Sequence, residues 1–244
     1  MKTFSMLVVI VLYLSIALCS LSDAETTLVY EEIMESKRIA AESAFNKALS
    51  FESQGEAPKA IDAYKQAIRL NPTVKEAYNN LAAIYADLGI YDKAMLNYKK
   101  AVELDSGYST AWYNLGMIYY SLERYDDAID SFEKGSEGAP YSKDVLYFLG
   151  RAYCHMEKYS ESIESFQAVI SHDTEFYPAH FDIACVYMIT NKFNDALFHF
   201  NKVLLIAPHH QEAERIQSMI KNIQKLNLEK VELRSSVSAP SQSN

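Results

Sequence analysis

An all-α fold, an α-solenoid of stacked antiparallel helix pairs, is the architecture this sequence predicts. Three observations carry the prediction: the chain is poor in turn formers, it repeats itself every 34 residues, and each repeat places small and aromatic residues at fixed offsets. Seven glycines and six prolines stand against eighteen tyrosines and eleven phenylalanines in 244 residues, which leaves little material for turn-rich sheets. At 49% hydrophobic and 23% charged, the composition is that of an ordinary globular chain with a core to bury.

The chain opens with Lys2, an apolar run from Met6 to Cys19, and small residues around Ser20, Ser22 and Ala24. Residues 1–24 therefore read as a secretory signal peptide, with Ser22-Asp23-Ala24 as a cleavage site. The uncharged span from Thr3 to Ser22 is also long enough for an uncleaved membrane anchor. Both readings place the body outside the cytoplasm, with or without a membrane tether. Lipid attachment at Cys19 is disfavoured by Leu18 before it. Without Cys19 the chain keeps only Cys154 and Cys185, too few for a disulfide framework, so the fold must stand on its apolar core. Residues 25–40 predict a further helix entering the stack.

From residue 41 the repeat begins, in windows 41–74, 75–108, 109–142, 143–176 and 177–210 without insertion or deletion. One aromatic column holds Phe51, Tyr85, Tyr119, Tyr153 and Tyr187; a second holds Tyr64, Tyr98, Phe132, Phe166 and Phe200. Small residues recur at Ala48, Ala82, Gly116, Gly150 and Ala184, and again at Ala60, Ala94, Ala128, Ser162 and Ala196. Small side chains let two helices approach, and the aromatics fill the space between one pair and the next. The windows close near Pro72, Ser106, Pro140, Thr174 and Pro208. After Pro208 an apolar stripe of Ala213, Ile216, Met219, Ile220 and Ile223 predicts a capping helix over 211–228, followed by a small, polar and disordered tail over 229–244.

These columns resemble the tetratricopeptide repeat (TPR), most fully at Trp112, Leu115, Gly116, Tyr119, Ala128 and Phe132. The resemblance implies five helix pairs stacked into a right-handed superhelix, with the first helix of each pair lining the concave side. It also implies a binding role.

The net charge of −9, with no basic block, argues against a nucleic-acid partner. At about 100° per residue, Tyr78, Leu81, Ala82 and Tyr85 share one arc of a helix, and Asn79 and Asn80 lie opposite. Asn79 is expected to be solvated. Asn80 has counterparts one repeat away at Asn46 and Asn114, so three amides are expected in a row along the concave wall. Each carries a donor and an acceptor suited to an extended peptide's backbone, an arrangement that resembles the asparagine ladder of O-linked N-acetylglucosamine transferases. The row ends where Phe148 and Asp182 take its place. The same angles put Phe45, Tyr113, Tyr120, Tyr147, Phe181 and Arg151 on the concave side, about half of them packed between neighbouring first helices. Exposed aromatics beside an arginine make interface anchors, with Tyr120 and Tyr147 the preferred pair. The carboxylate clamp of some TPR proteins that hold chaperone tails is missing, its positions being filled by Phe45, Leu49, Thr110 and Asn114.

Catalytic signatures are weak. Cys154, Cys185, His155 and Asp182 include zinc-ligand types, but their spacing supports no site, and buried free cysteine is ordinary. Asp126-Asp127 suits a helix start, and His209-His210 a solvated turn. No phosphate loop, nucleophile elbow or metalloprotease motif is present. The expected function is a noncatalytic, cofactor-free scaffold that binds a peptide or protein segment in its groove. The alternatives are an assembly factor of a cell-envelope machine, similar to pilus-biogenesis proteins, or the noncatalytic subunit of an enzyme complex.

Overall fold

The computed structural model describes residues 23–139, 142–209 and 211–237. The expected signal peptide falls almost wholly outside them, as does the end of the tail. Regular structure among the described residues is entirely helical: α1 Asp23–Ser53, α2 Ala57–Leu70, α3 Lys75–Asp87, α4 Tyr91–Leu104, α5 Ser109–Ser121, α6 Tyr125–Gly138, α7 Lys143–His155, α8 Tyr159–His172, α9 Tyr177–Ile189, α10 Phe193–Ile206 and α11 Ala213–Val237. None of these helices is long and apolar enough to cross a membrane. The chain divides into two compact units between Leu104 and Asp105. In the first, α1 to α4 pack each against the next. In the second, α5 to α10 do the same, α11 closes on α10, and the first helices α5, α7 and α9 touch one another in turn.

Helices α3, α5, α7 and α9 begin at residues 75, 109, 143 and 177, the predicted starts of their repeats. The small column is fully buried at Ala48, Ala82 and Ala184, and Tyr64, Phe132, Phe166 and Phe200 are the largest fully buried side chains. Two boundaries differ from expectation. Residues 25–40 join the first helix of the first repeat in the single helix α1, because nothing between Lys37 and Ser53 breaks a helix. Helix α11 runs on to Val237, since no glycine or proline interrupts the chain before Pro240.

Asn79 corrects a third expectation: it is 6% exposed rather than solvated. An interior helix such as α3 packs against both α2 and α4, so its covered surface is wider than the single arc counted from the sequence. Burial obliges the amide to find partners. Asn79 Nδ2 donates to Asn80 Oδ1 at 3.1 Å.

Each turn between the two helices of a repeat closes in the same way. Gly55, Gly89, Glu123, Glu157 and Asn191, again 34 residues apart, adopt positive φ between 57° and 72°. The next N–H then returns to the carbonyl of the aromatic column, as in Arg124 to Tyr119 at 2.9 Å and Lys192 to Tyr187 at 2.8 Å. This is the Schellman closure, which satisfies a carbonyl left open at the helix end. In the second unit the same residue also lays its cation on that ring, with Arg124 4.6 Å from the Tyr119 centroid and Lys192 5.7 Å from that of Tyr187. In the first unit Lys59 and Lys93 reach Phe51 and Tyr85 instead, each at 5.4 Å. Replacing Glu157 with glycine is expected to raise stability by about 0.5 kcal/mol in urea titration, because relief of the left-handed strain outweighs the added freedom of the unfolded chain. The same change at Ala152, inside α7, should lower stability.

Candidate functional site

Helix α7 lies between α5 and α9 in the second unit and supplies the centre of the site. Its residues Tyr147, Phe148, Arg151 and His155 recur at helical spacing, so they project from one side. Phe148 is the hub of a ring cluster, with centroids 6.1 Å from Tyr113, 5.9 Å from Tyr120 and 5.3 Å from Tyr147. Arg151 lies beside this cluster, its guanidinium carbon 5.6 Å from the Tyr120 centroid and 5.9 Å from those of Tyr147 and Phe148. A cation over ring faces is attracted by their negative quadrupoles, which holds the guanidinium in place without using its N–H groups.

Asp182, from α9, faces this arrangement. Its Oδ2 accepts the Tyr147 hydroxyl at 2.8 Å and lies 3.7 Å from Arg151 Nε, a charge contact too long for a hydrogen bond. Burial raises the Asp182 pKa above the ordinary carboxylate value, and the Tyr147 hydrogen bond and Arg151 only partly offset this. Burial likewise raises Tyr147, with Asp182 adding to the effect. Tyr120 is tied to α7 through His155, whose Nε2 lies 3.0 Å from the hydroxyl, and His155 stacks on Tyr125 with centroids 4.4 Å apart.

Arg151, Cys154, His155, Phe166, Asp182 and Cys185 line a cavity of about 150 Å³. Both thiols are free. Burial pushes Cys185 up to about 12 and also raises Cys154, so they serve as small neutral groups rather than thiolates. Among the described residues no three histidines, cysteines or carboxylates converge as a metal site.

Of the predicted residues, Tyr113, Tyr120, Tyr147 and Arg151 therefore come together. Phe181 is half-buried on α9, against Phe200 with centroids 6.1 Å apart. Phe45 and the asparagines Asn46 and Asn80 belong to the first unit, and Asn114 to the second. Phe45 packs edge-on against Tyr64, centroids 5.6 Å apart. Asn46 is exposed. Asn80 is engaged internally, donating to the Tyr64 hydroxyl at 3.2 Å, while that hydroxyl donates to Glu52. Phe148 and Asp182, where the asparagine row ends, are the residues around which the site is built. Their membership of that column was the available signal.

A second polar cluster, in the fifth repeat, had no sequence signal. His180, 2% exposed, lies 2.8 Å from His199 between their Nδ1 atoms. Its Nε2 lies 3.1 Å from the Thr174 carbonyl. A carbonyl only accepts, so His180 carries its proton on Nε2 and accepts at Nδ1 from His199 Nδ1–H.

Family models described as TPR repeat match residues 48–89, and models described as tetratricopeptide repeat match residues 76–108, 109–137, 145–176 and 177–210. No curated protein matches the chain. Among solved structures, one of the MamA protein is 25% identical with a TM-score of 0.64, over 72% of this chain and 94% of that one. YrrB, described as "a TPR protein with an unusual peptide-binding site", is 21% identical with a TM-score of 0.67, over 78% and 97%. PilF of Pseudomonas aeruginosa is 16% identical with a TM-score of 0.62, over 80% and 93%. The last two likenesses concern the fold alone.

Proposed function

Because the chain belongs to the tetratricopeptide-repeat family, we propose that it is a noncatalytic interaction scaffold that takes a peptide or protein segment against α5, α7 and α9. The observation that carries this reading is the guanidinium of Arg151, held over three rings and donating no hydrogen bond among the described residues. Pre-positioned aromatic and arginine groups lose little freedom on binding, which is what makes such residues anchors. Tyr113, Tyr120, Tyr147 and Arg151 are the primary contacts. Asn114 is a further contact in the second unit; Asn46 and Asn80 are the contacts proposed for a segment bound on the first, where Asn80 keeps a second N–H for the purpose. YrrB, which shares the fold, is described as having a peptide-binding site; the residues named here carry the reading for this chain. The apolar opening of the sequence supports a place outside the cytoplasm, with or without a tether.

The test is selection of peptides from a random display library on the purified chain, followed by affinity measurement. Arg151→Ala, with its helix content intact by circular dichroism, is expected to weaken the selected peptides about tenfold or more. Lys100→Ala, at an exposed position in the first unit, is expected to change nothing. Selected peptides that bind Arg151→Ala as tightly as the parent would refute the site.

The assembly-factor reading has one observation of its own. On α1, Tyr30, Ile33 and Met34 are 64%, 49% and 45% exposed, and by helical phase they continue the stripe that Ala41, Ala44 and Ala48 bury lower on the same helix.

A further inference from the structure

The cavity beside Arg151 is smaller than a cofactor or drug-sized cleft, which runs to about 300–1,000 Å³. At about 150 Å³ it has room for the end of one side chain. Phe166 and the neutral thiols of Cys154 and Cys185 give it apolar walls. Arg151 and Asp182 supply its cation and its anion, and His155 also lines it, with Nε2 3.0 Å from the Tyr120 hydroxyl. Arg151 Nε stands 3.7 Å from Asp182 Oδ2, outside hydrogen-bond range, and that oxygen is occupied by the Tyr147 hydroxyl at 2.8 Å. Asp182 Oδ1 therefore accepts no hydrogen bond from the described residues, and the guanidinium donates none. The lining thus offers donors and an acceptor side by side, on a cation and an anion that already nearly cancel.

That pairing selects among ligands. A carboxylate meets Arg151 favourably but brings a like charge to Asp182. An ammonium reverses the problem, with donors facing donors at Arg151. An apolar end covers Asp182 Oδ1 and the Arg151 N–H groups without offering either a hydrogen-bond partner, which is costly. A primary carboxamide satisfies both: its oxygen accepts, its nitrogen donates, and it adds no charge. We propose that the cavity is a carboxamide pocket, taking the side chain of a glutamine or asparagine from the bound segment. The ligand oxygen accepts from the Arg151 guanidinium and the ligand NH2 donates to Asp182 Oδ1. Glutamine is preferred over asparagine, because its extra methylene lies against Phe166 and the thiols. The proposal rests on the segment-binding reading only for the source of the side chain.

The probes are Nα-acetyl-glutamine N-methylamide and the matched glutamate, lysine and norleucine derivatives, which share one backbone. They are titrated into the full ¹⁵N-labelled chain and followed by NMR. The glutamine probe is expected to shift the amides of Arg151, Cys154, Asp182 and Cys185, and to bind on the order of tenfold more tightly than the other three. Asp182→Ala and Arg151→Ala, checked for unchanged helix content and thermal unfolding, are expected to erase that preference. Equal or tighter binding of the glutamate or lysine probe would overturn the proposal in favour of simple charge pairing. Equal binding of all four would overturn it in favour of the backbone, and no saturable shift would mean that the cavity holds only water. If library-selected peptides still depend on Arg151 while no glutamine preference emerges, the groove stands and the carboxamide pocket falls. If they ignore Arg151, the groove itself falls.

Discussion

Phe166→Ala is expected to lower the stability of the second unit by about 3–5 kcal/mol. The ring is fully buried in the cluster that includes Val169, Ile183 and Phe200, and it also lines the cavity beside Arg151. Removing it loses the transfer energy of the ring and leaves a void that the helices cannot collapse around, since α8 packs on both α7 and α9. Domains are stable by only about 5–15 kcal/mol, so the unfolding midpoint in urea should fall severalfold more than for a typical surface change. A partner substitution makes the claim specific. A Cβ added at Gly150 would lie 2.9 Å from the Phe166 ring, so Gly150→Ala alone should destabilise. In the Phe166→Ala background the same methyl enters vacated space and should stabilise. If Gly150→Ala has the same sign in both backgrounds, the two residues are not the packing pair described here.

The second large effect is a loss of stability in acid, centred on the fifth repeat. Burial lowers the pKa of His199 from 6.5 to about 4, with His180 beside it adding to the fall and Asp195 opposing it. Burial lowers that of His180 too; the hydrogen bond to the Thr174 carbonyl opposes this and Lys202 reinforces it. Both folded values lie below that of an unfolded histidine, so between about 6.5 and 4 the folded chain holds fewer protons than the unfolded one. Stability is therefore complete above about 6.5 and declines as the pH falls toward about 4. The drop from 6.5 to about 4 corresponds to about 3 kcal/mol. Water reaching the half-buried His199 ring screens part of that, leaving about 1–2 kcal/mol. The geometry explains why relaxation gives no escape: Nδ1 atoms 2.8 Å apart share one proton, and a second would set two N–H groups face to face. Urea titrations at pH 7, 6 and 5 should show this decline in the parent chain and a flatter profile in His199→Asn. Parallel profiles would place the acid sensitivity elsewhere.

Periodic features were legible in the sequence and interactions across the period were not. The 34-residue columns located the starts of α3, α5, α7 and α9, because every repeat must solve the same packing problem with small residues at Ala82 or Gly116 and rings at Tyr98 or Phe132. The Schellman closures share that period, yet Glu123 and Glu157 occupy positions where glycine is the recognisable residue, and the cations over the rings change from Lys93 in one unit to Arg124 in the other. Asn79 was misplaced because one helical arc underestimates what two neighbours cover. Helical angle alone put Tyr120, Tyr147 and Arg151 on one side, and the structure brings them together. Phe148 and Asp182 were read as the end of a binding row, since a change of residue type in a column shows that its chemistry changes but not what the new side chain meets. His180 and His199 sit nineteen positions apart on different helices, a separation no local pattern marks.

The most direct measurement of the binding claim is hydrogen exchange along the whole chain, free and saturated with a library-selected peptide. Segment binding against the first helices of the second unit predicts slowed exchange in α7 and α9 around Arg151 and Asp182, lost in Arg151→Ala. Protection confined to α1, or spread across the second helices while α7 and α9 exchange as in the free chain, would contradict it.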